Sequence, residues 1–373
     1  MFDVPVIDCD IHHAWRSPSE VLPYMSRAWQ EFVAGPGHGN LLPISAPSTF
    51  QNPQGGQRDD ALLPDGSPAG SDYETLRAQH LDLVPIQRGV LTYGEGLFVD
   101  SNPNPFLASE IARASNDWTI DQWLSRDERL YGSILVSNQD PLLAAAEIRR
   151  LGNHPRMCQV LMAVNGLGPA FGDPIFEPIH AAACECNLPL AIHIPGFYGN
   201  SPAAAAHGMV SFYFEYHVLI TQTMQTHLVS FISNGVFEKY PDLQLVLVEG
   251  GVAWLPALMW RLDRDWKELP RAMRTERLPS EYLREHLHMT TQPLETAPQT
   301  EDLVATLESF DAARLLMFAS DYPHWDTDQA STVSRELPKD WHESIFHNNA
   351  MTLYGWTESD HDGLARVGSA AAE

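Results

Sequence analysis

The 373-residue chain is short of lysine, of cysteine and of long apolar runs. Lys239, Lys267 and Lys339 are its only lysines, and none closes an apolar strand-like run. A two-metal centre bridged by a carbamylated lysine is therefore not expected. Cys9, Cys158, Cys184 and Cys186 are too few and too scattered for a disulfide framework, and Cys184-x-Cys186 has neither zinc-ribbon nor thioredoxin spacing, so free thiols are expected. No apolar run reaches the length of a membrane span, and no basic-then-apolar leader precedes the first strand-like segment, which makes a cytoplasmic protein the expectation. Basic residues are scarce as a class. With 23 lysines and arginines against 48 acids the formal net charge is −25, a field that repels phosphate backbones and anionic lipid, so neither nucleic acid nor membrane is an expected partner.

What the chain does have is apolar content for a large core, 44% of residues with 10% aromatic, which excludes disorder as the main state. It opens on Val4-Pro5-Val6-Ile7-Asp8-Cys9-Asp10-Ile11-His12-His13, a β-branched run ending in carboxylates and imidazoles. That pattern reads as a buried parallel strand with a chemically loaded carboxyl end. Further strand-like runs cover 89–93, 132–136, 159–163, 189–193, 243–248, 286–290 and 314–319. Helix-like stretches cover 17–32, 105–125, 141–151, 174–186, 218–240, 252–269, 300–310 and 341–354. Eight strands, each followed by a helix, predict an α/β fold of the (β/α)8 TIM barrel type as one domain over 1–356, with a flexible tail over 357–373. Residues 35–73, rich in Gly, Pro, Ser, Asn and Gln, read as an inserted loop after the first strand and its helix, a lid or a subunit contact.

Barrel enzymes gather their chemistry from several strand ends on one face. Here the first strand ends with Asp10 and His12, which share a side of an extended chain; the fifth ends with His193, the sixth with Glu249 and the eighth with Asp321. A carboxylate after Leu315-Leu-Met-Phe-Ala-Ser320 is costly to bury unless paired or metal-bound. Asp10, His12, His193 and Asp321 are thus the expected ligands of one divalent ion. An oxygen and nitrogen shell of this kind suits zinc first, and manganese or iron nearly as well.

The opening I-D-x-D-x-H, His193, the segment Phe237 to Gly251, Ser320-Asp-Tyr-Pro-His324 and Asn348 to Gly355 together resemble the amidohydrolase-related family, in its branch typified by aminocarboxymuconate-semialdehyde decarboxylase. The resemblance spans nearly the whole chain. It implies a distorted barrel with one divalent metal, and a family of non-oxidative decarboxylases of small aromatic or unsaturated acids, together with hydratases and hydrolases. Two positions depart from the pattern: Asp10 stands where many members have a histidine, and Glu249 stands where the decarboxylases carry a histidine acid or base.

The expected function is a metal-dependent decarboxylase of a small carboxylated molecule, with Asp321, Glu249 and His193 as candidate catalytic groups. The rival is a hydrolase that uses a metal-activated water on an amide, ester or ring carbon, and a non-catalytic binding barrel ranks last. Candidate substrate contacts are His324, Arg261, Tyr216, His217 and Trp325, although Arg261 also fits a solvated helix face paired with Asp263 or Asp265. A small molecule is the expected partner, and a homo-oligomer the expected assembly.

Overall fold

The computed structural model describes residues 4–35, 56–164, 168–194, 212–269 and 273–357. Eight strands lie side by side in chain order: β1 (Val6–His13), β2 (Ile86–Tyr93), β3 (Leu130–Val136), β4 (Met157–Ala163), β5 (Leu190–His193), β6 (Leu245–Val248), β7 (Leu287–Thr290) and β8 (Leu316–Met317). All seven neighbouring pairs are parallel. The seam between β8 and β1 is drawn together by Cys9 N–H donating to Phe318 O (2.9 Å), His12 N–H to Tyr322 O (2.7 Å) and Asp321 N–H to Asp10 O (3.1 Å). Helices cover the outside, which is why the strands are apolar runs buried on both faces rather than alternating ones. The architecture is the expected (β/α)8 barrel.

Local chemistry sets the helix starts. Asn104 and Asp140 each cap a helix with two backbone N–H groups on the carbonyl or carboxylate oxygen, and a proline occupies the first turn of both Pro105–Thr119 and Pro141–Leu151. Where the sequence reading ran one helix from 17 to 32, the chain makes two short turns, Pro18–Glu20 and Leu22–Tyr24, and a helix only over Arg27–Val33. Pro23, which donates no backbone hydrogen bond, stands in the second turn. The expected helix over 218–240 is three pieces, Tyr213–Leu219, Thr221–Ser233 and Val236–Lys239. The last break falls at Gly235, whose φ of +69° is a left-handed helix stop. β8 is shorter than the 314–319 reading, because Arg314 and Leu315 still belong to the helix Ala312–Leu315.

One irregularity in β1 decides the site. Asp8 pairs with Gly89 and Ile11 with Leu91, so Cys9 and Asp10 together oppose Val90 alone. This bulge re-aims side chains on either side of it. Asp8 turns to His80, whose Nε2 lies 2.6 Å from its Oδ2, and its Oδ1 accepts the Ser320 N–H (3.0 Å) and the Asp10 N–H (3.1 Å). Asp10 and His12 face the barrel mouth instead. His13 faces away: its Nε2 bonds Thr119 Oγ1 (2.7 Å), its Nδ1 the Thr92 carbonyl, and its ring stacks on Trp118. Burial pushes His13 down to about 3, so it is a neutral structural imidazole.

The other end of the barrel is stoppered by the chain's last described residues. Tyr354 Oη donates to Gln159 (2.9 Å), and Arg88, fully buried on β2, lies over the Trp356 ring (5.0 Å) and donates to Thr357 O (2.8 Å). Residues 358–373 of the expected tail, and 36–55 of the expected lid, lie outside the described residues. The described remainder of that insertion packs on the loop after β8: Arg58 N–H donates to Pro323 O (2.9 Å) and Trp325 N–H to Gly56 O (3.1 Å). No described helix is long and apolar enough to cross a membrane.

Asp8 is the lock on the β8–β1 seam, with three buried donors depending on it. Asp8→Ala leaves them unpaired, which costs about 3–5 kcal/mol by analogy with other broken buried pairs. Urea unfolding is expected to show that loss, with Asp8→Asn, which keeps one acceptor oxygen, losing visibly less.

Candidate active site

The carboxyl ends of β1, β5, β6 and β8 deliver six titratable side chains to one place. Asp10, His12, His193 and Glu249 offer ligand atoms all within 4.8 Å of one another, and so do His12, Glu249, Asp321 and His324. All but His324 are buried or nearly so, and the chain raises two of them on strained backbone: Glu249 and Asp321 both sit at φ 59°. A left-handed non-glycine residue costs roughly 1–2 kcal/mol and persists where the surroundings over-determine it.

Hydrogen bonds fix which atom each ligand presents. His12 Nδ1 donates to Tyr93 O (2.9 Å) and His193 Nδ1 to Ile194 O, which leaves both Nε2 atoms facing inward. Asp10 uses Oδ1 to accept from Thr92 Oγ1 (2.5 Å), and Asp321 uses Oδ1 to accept from His324 Nδ1 (2.6 Å). What remains is Asp10 Oδ2, His12 Nε2, His193 Nε2 and Asp321 Oδ2, each buried without a hydrogen-bond partner. His12 Nε2 does lie 2.9 Å from Asp321 Oδ1, close enough for an ion pair, but off the ring N–H direction needed for a hydrogen bond. His193 Nε2 is 3.4 Å from Asp10 Oδ2 and 3.6 Å from Glu249 Oε2. Buried polar atoms that face each other unpaired are the signature of a cation site.

Charge follows from the same crowding. Burial alone would depress His12, but Asp10 and Asp321 carry it up to about 9. Burial, reinforced by Asp321, Asp10 and Asp326, pushes the Glu249 carboxyl well above its usual range. Burial acts on Asp321 in the same direction and is overcome by His324 and His12, which hold it below the usual carboxylate range. Two carboxylates that follow β6 and β8 are thus driven apart, one toward the acid and one toward the base.

The sequence-derived substrate contacts divide. His324 joins the cluster, its ring 4.4 Å from that of His12. Tyr216 is buried within reach of the Glu249 charge, His217 Nε2 lies 3.0 Å from Asp326 Oδ2, and Trp325 Nε1 donates to Tyr213 Oη (3.1 Å) at a half-exposed rim. Arg261 does not join them. Its side chain is 73% exposed and pairs with Asp265 four residues on, the helix-face alternative. On the same segment as Tyr216 and His217, Phe212 and Phe214 are 68% and 74% exposed. The sequence reading missed Thr92, Asp326 and Gln292, and also Glu95 just past β2. Glu95 Oε2 is buried without a partner, and burial pushes its carboxyl up to about 7. Their only signal was position: each stands at, or a few residues beyond, a strand's carboxyl end.

Comparison with known proteins places the chain in a family and supports the barrel fold. The chain is 26% identical over 298 residues to a gamma-resorcylate decarboxylase of Rhodococcus jostii (strain RHA1), covering 76% of this chain and 88% of that one. Among solved structures, a 2,6-dihydroxybenzoate decarboxylase from Rhizobium superposes with a TM-score of 0.66 at 18% identity, over 94% of this chain and 99% of that one. A 5-carboxyvanillate decarboxylase from Novosphingobium aromaticivorans, complexed with manganese and 4-hydroxy-3-methoxy-5-nitrobenzoic acid, gives 0.66 at 20% identity over 95% and 96%. At these identities the structures speak for the fold. A family model described as amidohydrolase matches residues 7–356, and the chain belongs to the amidohydrolase family.

Proposed function

We propose that this protein is a metal-dependent, non-oxidative decarboxylase of a small aromatic acid. The observation that carries the metal is the set of four buried, unpartnered atoms on Asp10, His12, His193 and Asp321, donated by two strands, β1 and β5, and the turn after β8. The decarboxylase reading rests on the relatives: the curated one is a decarboxylase of a hydroxylated benzoate, and a solved neighbour holds manganese. On that ground, and because two of four donors are carboxylates, we place manganese ahead of the zinc favoured by the sequence reading. When bound, the ion supplies a Lewis acid that draws electron density from the substrate's carboxylate or adjoining hydroxyl.

The residues then do the rest. His12 and His193, locked through Nδ1 to backbone carbonyls, hold their Nε2 lone pairs fixed. Tyr213, Tyr216, His217 and Trp325 form an aromatic wall against which a ring can lie. Glu249, kept protonated by burial and its acidic neighbours, is the proton donor. As the ring-to-carboxylate bond breaks, its electron pair stays on the ring carbon and takes the Glu249 proton, and carbon dioxide leaves. Asp321, held ionised, cannot serve as that acid. It orients His324 and completes the ligand set.

Glu249 thus fills the role of the histidine that related decarboxylases carry. A homo-oligomer and a cytoplasmic setting belong to the proposal as well.

Elemental analysis is expected to find one divalent ion per chain, lost in both His193→Ala and Asp321→Ala. Because His12, carried up to about 9, holds a proton at neutral pH without the ion, loading releases a proton, and apparent metal affinity climbs as pH rises toward about 9; calorimetry in buffers of different ionisation enthalpy measures both. Glu249→Gln is expected to keep the ion and lose about 10²- to 10⁴-fold in kcat. In ¹⁸O-labelled water the product of a decarboxylase carries no label, and label incorporation would select the hydrolase instead.

A further inference from the structure

Beyond the metal ligands, the mouth is acidic and carries, besides Glu95 Oε2, a buried polar atom that no described residue satisfies. Gln292 lies two residues past the end of β7, between the strands that bring Glu249 and Asp321, and is fully buried. Its Nε2 donates to Asp326 Oδ2 (3.0 Å), which also faces His217 Nε2 (3.0 Å). A carboxylate only accepts, so this bond fixes the amide's orientation and leaves Oε1 as the free end. Gln292 Oε1 has no hydrogen-bond partner. The neighbouring Thr290 is tied by its Oγ1 to the Glu249 N–H (3.0 Å), and Thr291 by its Oγ1 to the Ala319 N–H (3.2 Å), so the position is rigid.

The charges around this acceptor are mostly carboxylates, with His324 and His12 set against Asp321. Those facing Glu249 are Asp321, Asp10 and Asp326; those facing Asp328 are Asp326 and Asp321; those facing Tyr213 are Glu249, Asp326 and Asp321. Arg16 and Arg58, which follow β1 and border the loop after β8, are paired with Asp72 (3.1 Å) and Asp60 (2.6 Å). The stretches 36–55 and 195–211 contain no lysine or arginine. Among the described residues, then, the ion itself is the one strong positive charge on offer to a substrate anion, and a single carboxylate uses it.

We infer that the site selects a ring acid with one carboxylate and a hydroxyl or amino donor that Gln292 Oε1 accepts, and that Asp326 and its acidic neighbours reject a second carboxylate. This rests on the decarboxylase reading above and narrows it, since the relatives' substrates include both kinds: a dihydroxybenzoate, and a carboxyvanillate with two acid groups. Leaving a buried acceptor unpaired is costly, which makes the hydroxyl requirement a discriminating one. The like charges do the same against the diacid.

The test uses manganese-loaded protein and three ligands, benzoate, a hydroxybenzoate and a hydroxyisophthalate, with binding read by calorimetry. The hydroxybenzoate is expected to bind about tenfold or more tightly than either of the others. Gln292→Leu should bring the hydroxybenzoate-to-benzoate ratio to about one, and Asp326→Asn should raise hydroxyisophthalate binding about tenfold, a gain that misfolding cannot imitate. Equal binding of monoacid and diacid by the unaltered protein, or a hydroxyl preference that survives Gln292→Leu, overturns the inference and leaves the decarboxylase standing. Failure of all three ring acids to bind overturns both.

Discussion

The structure depends on an electrostatic debt at one mouth of the barrel. Asp10 and Asp321, with Glu249 beside them, are buried close together, and three imidazoles do not supply enough hydrogen bonds to satisfy them. In a medium of low dielectric such a cluster is unfavourable unless a cation enters or protons are taken up. Both responses are visible: His12 is carried up toward a charged imidazolium and Glu249 toward a neutral acid, while the atoms on the metal side stay unpaired. A divalent ion resolves the conflict by taking the place of the His12 proton beside the unpaired atoms, and the closed barrel holds the cluster ready for it.

That readiness is built from backbone. The bulge in β1 parts Asp8 from Asp10, which a regular strand would put on the same face. Asp8 then works outside, fastening β8 to β1 through Ser320 and His80, while Asp10 and His12 work inside. The left-handed backbone at Glu249 and Asp321 turns those side chains back over the strand ends. Glu295 contributes in a different way. Its carboxylate accepts the Val252 and Ala253 N–H groups in the turn ahead of the helix Leu255–Glu268, and so fixes the loop after β6 that carries Glu249.

Much of this was legible beforehand. The strand-then-helix alternation gave the barrel, and all four expected ligands arrive at one mouth with an unpaired atom apiece. The reading failed where local pattern is not the deciding force. Pro23 and Gly235 break helices that apolar spacing alone would continue. Arg261 looks catalytic beside its neighbours in sequence, yet its helix turns it to solvent and to Asp265. Zinc followed from donor chemistry, which suits manganese and iron nearly as well.

The sequence by itself determined the class of fold, the strands that carry the ligands and the residue types at their ends, because burial on both faces and the strand-helix period are written in local composition. Only the tertiary structure decided the roles within the site. Which of Asp8, Asp10, His12 and His13 face the centre depends on one bulge; which carboxyl holds a proton depends on neighbours from other strands; and the free end of Gln292 exists because Asp326, 34 residues away, takes its amide hydrogens. Those are effects of distance in space, for which spacing along the chain carries no record.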